Sequence, residues 1–198
     1  LSKSFHTDPP EIIAGRRHAR DAAGLAALPR LIERKPYPGD VHPLDKGILR
    51  GVLRRVPDKY LYGLSRIELR ARGGDIGRPF GVYLPDEKAI LLYSVPEVWH
   101  LPRTGSWLLN SLHRFYADVR EVEGGLEVRW PEDGFMTVWF FYAVLAHELG
   151  RHYAEQYRRK NRQPVGVVHE EIVADLHARR IFSERLEAPQ CAQLHVAV

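Results

Sequence analysis

The sequence predicts an α+β domain, with helices segregated from a small, mostly antiparallel sheet. Three observations predict it. Residues 67–72 alternate apolar and charged side chains, and residues 80–84 and 89–95 are compact apolar runs joined by Pro85-Asp86-Glu87-Lys88, a turn by composition. These read as three consecutive strands of an antiparallel meander. Residues 119–122 and 126–130 flank Glu123-Gly124-Gly125 and read as a hairpin. From about Phe135 to Lys160, and again over residues 169–185, the pattern is helical.

Taken in order, residues 1–40 read as an N-terminal arm, partly helical, and residues 41–198 as the domain proper. The first ten residues are polar and end in Pro9-Pro10, which suits a helix start. Residues 11–28 are alanine-rich and helical in composition, until Pro29 stops or kinks them, and Lys35-Pro36-Tyr37-Pro38-Gly39-Asp40 is a loop. Over residues 44–56, Leu44, Ile48, Val52 and Val56 recur at every fourth position, a helix that Pro57-Asp58 ends. Residues 60–64 are turn-like, Gly73-Gly74-Asp75-Ile76-Gly77 is a loop, and residues 96–105 form another. Residues 106–116 are helical, with Trp107, Leu108, Leu112 and Phe115 on one side. The helix from Phe135 is apolar nearly all round until His147 and then charged, so it starts buried and ends wet. Residues 161–166 are a loop, and Pro189 closes the last helix.

Composition narrows the function. A chain of 198 residues suits one domain, and 44% hydrophobic with 27% charged residues is an ordinary folded balance. A net charge of +4 and a pI near 9.3 fall short of a nucleic-acid-binding signature. The single cysteine, Cys191, excludes an internal disulfide framework and is the usage of a reducing compartment, so the expected location is the cytoplasm. The longest apolar run, residues 136–146, is broken by Thr137 and is shorter than the ~18 residues of a membrane span. No signal-peptide pattern is visible.

The chemistry concentrates at His147-Glu148-Leu149-Gly150-Arg151-His152, followed by Glu170-Glu171-Ile172-Val173-Ala174-Asp175 on the next helix. Zinc takes imidazole nitrogens and carboxylate oxygens in a tetrahedron, with one position left to water in a catalytic site. In the spelling H-E-x-x-H, both histidines face one ion and the glutamate serves as general base to the bound water. Here the histidines are five apart, about 140° around a regular helix. Two geometries bring a site together. A π-bulge near Gly150 absorbs the extra residue, so that His147 and His152 both ligate and Glu148 is the base. Alternatively Glu148 and His152, four apart, are the ligand pair and His147 is free. The first keeps the base and is preferred. Glu171 then completes the metal set, and Asp175, one turn on, accepts the outer N–H of a ligating histidine. His169, His177 and Tyr153 are candidates for contact with the oxyanion or the substrate, and Glu170 for contact with substrate or metal.

These residues resemble the gluzincin metallopeptidases, in which two histidines and a glutamate from a following helix hold zinc. His147, His152 and Glu171 match the ligands, Glu148 the base and Asp175 the outer carboxylate. The spelling is similar to the H-E-x-x-x-H of dipeptidyl peptidase III, while size and layout look more like the small proteases of the ImmA/IrrE type. The resemblance covers roughly residues 138–182. It implies a zincin-like fold, Zn2+ as cofactor, a peptide or protein as substrate, and an edge strand, residues 80–84 or 89–95, that binds extended peptide by backbone hydrogen bonds. A rival expectation is a regulatory or interaction protein on the same fold, metal-bound but with little or no peptidase activity. Nucleic acid is not an expected partner.

Overall fold

The computed structural model describes residues 28–72, 79–102, 105–161 and 167–186. The expected helix over residues 11–28 (all but Leu28), the glycine-rich loop 73–77, the loop 162–166, the closing Pro189 and Cys191 lie outside the described residues, as do the side chains of His169 and Glu170.

In chain order the elements are β1 (Arg30–Glu33), β2 (Asp40–Val41), α1 (Lys46–Leu53), α2 (Asp58–Leu61), β3 (Arg66–Arg70), β4 (Gly81–Leu84), β5 (Ala89–Tyr93), β6 (Val95–Pro96), β7 (Val98–Leu101), α3 (Ser106–Arg114), β8 (Asp118–Val122), β9 (Gly125–Arg129), α4 (Asp133–Phe140), a π-helical turn (Phe141–Leu145), α5 (Ala146–Asn161) and α6 (Val167–Leu186). The class is mixed helix and small sheets, in keeping with α+β. A four-stranded sheet has the order β1-β3-β5-β4, a three-stranded sheet the order β7-β9-β8, and β2 pairs with β6.

The main sheet is not the expected meander. β5 lies between β3 and β4, parallel to β3 and antiparallel to β4. Residues 71–80 separate β3 from β4, too many for the two- to five-residue loop of a hairpin, whereas four residues join β4 to β5. Part of residues 1–40 also enters this sheet. β1 belongs to the main sheet, running parallel to β3 from Arg30↔Arg66 to Glu33↔Leu69. The strand is short and only half-buried, so its apolar signal is weak. β7 is a strand where a loop was expected; Pro96 and Pro102 flank it, but Trp99 and Leu101 alternate inward between Val98 and His100. Residues 58–61 form a short helix rather than a turn. The β8–β9 hairpin stands as expected, turning on Gly124 at φ 84°.

Local chemistry accounts for several elements. The Asp45 side chain accepts from the Ile48 N–H at 2.7 Å and caps α1. Phe80, Trp99, Trp130, Trp139 and Phe140 form one aromatic cluster, joining β7 to α4 and the start of β4 with edge-on and tilted rings. Strand alternation placed Glu68 outward, yet it is 4% exposed. Arg34 and Arg70 reach its carboxylate at 3.3 and 3.0 Å, and these partners hold its pKa below the usual carboxylate range, Arg70 foremost. A buried carboxylate here is tolerable because it is paired.

The helical run from residue 133 to 161 sets the site. A π-turn is present in this run, but about two turns before the expected place near Gly150, at Phe141–Leu145, where the Ala146 N–H reaches back to the Phe141 carbonyl. Gly150 lies in regular helix α5. Its lack of a side chain has another use. A Cβ there would stand 2.5 Å from the Ala174 carbonyl oxygen, so Gly150 lets α5 and α6 approach backbone to backbone.

Candidate functional site

The close crossing at Gly150 and Ala174 aligns the α5 face bearing His147 and Arg151 with the α6 face bearing Glu171 and Asp175. His147 Nδ1 donates to Asp175 Oδ1 at 2.8 Å, and its Nε2 stands 3.1 Å from Glu171 Oε2. Burial pulls the His147 pKa down, but the hydrogen bond to Asp175 and the charges of Glu148, Asp175 and Glu171 outweigh it and raise the pKa above the ordinary value. Arg151 lies 3.4 Å from Glu171 and 3.9 Å from Glu148. Its guanidinium thus stands between the two glutamates.

Glu148 is 5% exposed and turned toward the sheet, where its Oε2 accepts the Tyr83 N–H of β4 at 2.8 Å. Burial raises its pKa, against the pull of His147, Arg151 and the Tyr83 N–H. A buried carboxylate with a raised pKa beside a histidine is the kind of group that serves as general base. Here its second contact is an arginine.

His152 is not brought to this cluster. It is fully buried, and both ring nitrogens are occupied on the other side of α5. The Tyr83 hydroxyl lies 3.0 Å from Nδ1, and Nε2 is 2.9 Å from the Tyr62 carbonyl. Burial lowers the His152 pKa below its ordinary value, and the Gln156 amide also approaches Nε2, at 2.6 Å. The Tyr62 carbonyl also accepts from the Gln156 amide. The reason is helical phase. Leu145 at the end of the π-turn and Leu149 and His152 of α5 fall on one buried stripe, while the position one turn after His147 is Arg151.

His177 and Tyr153 are also elsewhere. With Tyr60 they form an aromatic triad, rings 4.6 to 5.6 Å apart, in which Tyr60 Oη and His177 Nδ1 are 3.1 Å apart. Burial, then Arg180 and Lys59, depress the His177 pKa to about 4. Neither group faces Glu148 or His147. The motif alone leaves Arg151 as a solvent-facing residue; the signal for a role at the site was its i+4 spacing from His147.

A catalytic zinc needs three protein donors and a water. His147 Nε2 and a Glu171 oxygen are two donors at a fitting separation. Two ligands of a tetrahedral ion, each at ~2.05 Å, stand ~3.4 Å apart. The third place on that face belongs to Arg151, which has no lone pair to give. Among the described residues no group of three His, Cys, Asp or Glu side chains is placed to hold a metal ion. As placed, these residues do not fit a resident catalytic zinc. Instead His147, with its raised pKa, and the Arg151 guanidinium stand among the three acidic side chains Glu148, Glu171 and Asp175.

Comparison with protein-family models, with curated proteins and with solved structures found no match. The site is therefore read from its own geometry. Among the described residues no helix is long and apolar enough to cross a membrane.

Proposed function

We propose that this chain is a peptide- or protein-binding regulatory module with a zincin-like layout and little or no peptidase activity. One observation carries the reading: the Arg151 guanidinium occupies the place of the second metal-ligating histidine, between Glu148 and Glu171, while His152 is spent in the core. The layout is supported by the lone antiparallel strand β4 at the sheet edge, in contact with α5 through the Tyr83–Glu148 hydrogen bond. Of the two strands suggested for peptide binding, β5 is interior and paired on both sides, which leaves β4. The test is zinc content and peptide-library cleavage of protein purified without chelators. No stoichiometric zinc and no cleavage are expected. One equivalent of zinc together with cleavage that Glu148→Gln abolishes would refute the reading.

A second reading, zinc-dependent peptide hydrolysis with His147, His152 and Glu171 as ligands and Glu148 as base, is favoured by one feature. The helix already carries a π-turn immediately before the motif. Shifting that extra residue to Gly150 would turn His152 toward His147. It would break two buried hydrogen bonds, at about 1–3 kcal/mol each. Structural zinc binding contributes about 10–16 kcal/mol, so the shift is energetically open to a metal-bound protein. Zinc content that His152→Ala abolishes would establish this second reading.

A further inference from the structure

A cleft of about 210 Å3 opens beside His147, away from β4 and His152. Its walls come from three helices and the π-turn: Asn110 and Arg114 from α3, Tyr142 from the π-turn, His147 from α5, and Asp175 and Arg179 from α6. Small residues, Ala143 and Ala178, leave the space open. The cleft is of a size to take one peptide residue.

The charge in it is unbalanced. Arg114 and Arg179 are both exposed, and among the described residues neither has a carboxylate partner; Arg114 lies only over the Tyr142 ring, 6.0 Å from its centroid. The one carboxylate in the wall, Asp175, already accepts from His147. Some exposed arginines of this chain have acidic neighbours, Arg120 with Asp118, Arg129 with Glu127 and Arg159 with Glu155; what sets Arg114 and Arg179 apart is that both line one cleft. Among the described residues, two guanidiniums without a carboxylate partner and the Asn110 amide thus surround a one-residue cleft whose single carboxylate, Asp175, is engaged by His147. Guanidinium forks match carboxylates in a planar, bidentate way.

We propose that this cleft is a carboxylate subsite, which takes an acidic side chain or the C-terminal carboxylate of the bound peptide. The inference rests on the peptide-binding reading above and deepens it. The Arg114 and Arg179 side chains grip the carboxylate, Asn110 donates beside them, and the Tyr142 ring and the two alanines receive the apolar part of the residue.

The experiment is a titration of isotope-labelled full chain with four small probes: N-acetyl-aspartate amide, N-acetyl-alanine with a free carboxylate, the neutral N-acetyl-alanine amide, and inorganic phosphate. The reported signals are the Asn110 side-chain amide and the arginine Nε–H groups. Either carboxylate probe is expected to shift these signals and to bind about tenfold more weakly to the Arg114→Gln/Arg179→Gln variant, with the neutral amide giving no response. Whichever carboxylate probe binds tighter identifies the source as side chain or C-terminus. The Arg→Lys pair at the same positions keeps the charge and should retain part of the affinity, a recovery that a merely unfolded variant would not show. An equal response to the neutral amide, tighter binding of phosphate than of either carboxylate, or unchanged affinity in the Gln variant overturns the subsite. Zinc content and probe hydrolysis are measured on the same samples. Cleavage with retained carboxylate preference sinks the non-hydrolytic reading and leaves the subsite. Loss of carboxylate preference without zinc or cleavage does the reverse.

Discussion

Arg151→His should create a zinc site. The substitution removes the guanidinium from between Glu148 and Glu171 and places an imidazole four residues after His147. On a regular helix that position is about 40° around and 6 Å along the axis, the same face. The donor set becomes His147, Glu171 and the introduced imidazole, with Asp175 still fixing the His147 ring at 2.8 Å. The existing His147–Glu171 separation of 3.1 Å needs little change to span an ion. Loss of an outer-shell partner alone typically costs 10–100-fold in metal affinity, so gain of a whole ligand should tighten zinc binding by at least ~100-fold. That is about 2.7 kcal/mol. The exposed pair with Glu171 contributes at most ~1 kcal/mol, and buried Glu148 loses a 3.9 Å neighbour but keeps the Tyr83 N–H. Competition against a chromogenic chelator, with metal analysis, reads the gain. A wild type that already holds one zinc, or a variant no tighter than wild type, refutes the assignment of Arg151 to the ligand position.

Three further substitutions test the frame around the site. Gly150→Ala puts a methyl 2.5 Å from the Ala174 carbonyl and should cost ~1–3 kcal/mol in denaturant unfolding, because two backbones must separate. Asp45→Ala removes the α1 cap and should cost ~1 kcal/mol by the same assay, with no effect on peptide binding. His177 has a folded pKa of about 4, below its unfolded value, so its neutral burial stabilises the fold above pH ~6.5 and this contribution is lost as pH falls toward 4. With screening of a partly exposed group, the loss is about 1–2 kcal/mol. Stability measured between pH 7 and 4 should fall less steeply in His177→Gln than in wild type, and equal slopes would count against it.

What was legible in the sequence was local. The hairpin at Gly124, the helix after Asp45 and the long helix through the motif follow from turn chemistry, capping and periodicity, which act within a few residues. What was not legible depended on partners distant in the chain. Insertion of β5 between β3 and β4 is decided by sheet pairing, and the only cue was the long connection over residues 71–80. β1 is four residues of mixed character whose strand state comes from pairing with β3. Within the site, the pairing of His147 with Asp175 was readable because both lie on helical faces with the right spacing. The fate of His152 was readable in principle, since Leu145, Leu149 and His152 share one stripe.

The extra residue of H-E-x-x-x-H therefore has a different meaning from a displaced ligand. A helix holds phase unless it is interrupted, and the interruption here comes at Phe141–Leu145, before His147. Everything from Ala146 onward keeps regular register, which fixes Arg151 on the His147 face and His152 in the core. Gly150, the expected point of relaxation, is instead where α6 approaches backbone to backbone, and relaxing it would loosen the contact that delivers Glu171 and Asp175. The same glycine cannot easily serve both purposes. If the π-turn moves to Gly150 when metal is offered, amide exchange should rise at the α5–α6 crossing and fall at Phe141–Leu145. If it stays, zinc should leave both segments unchanged, and the guanidinium at Arg151 is the group that answers the carboxylates.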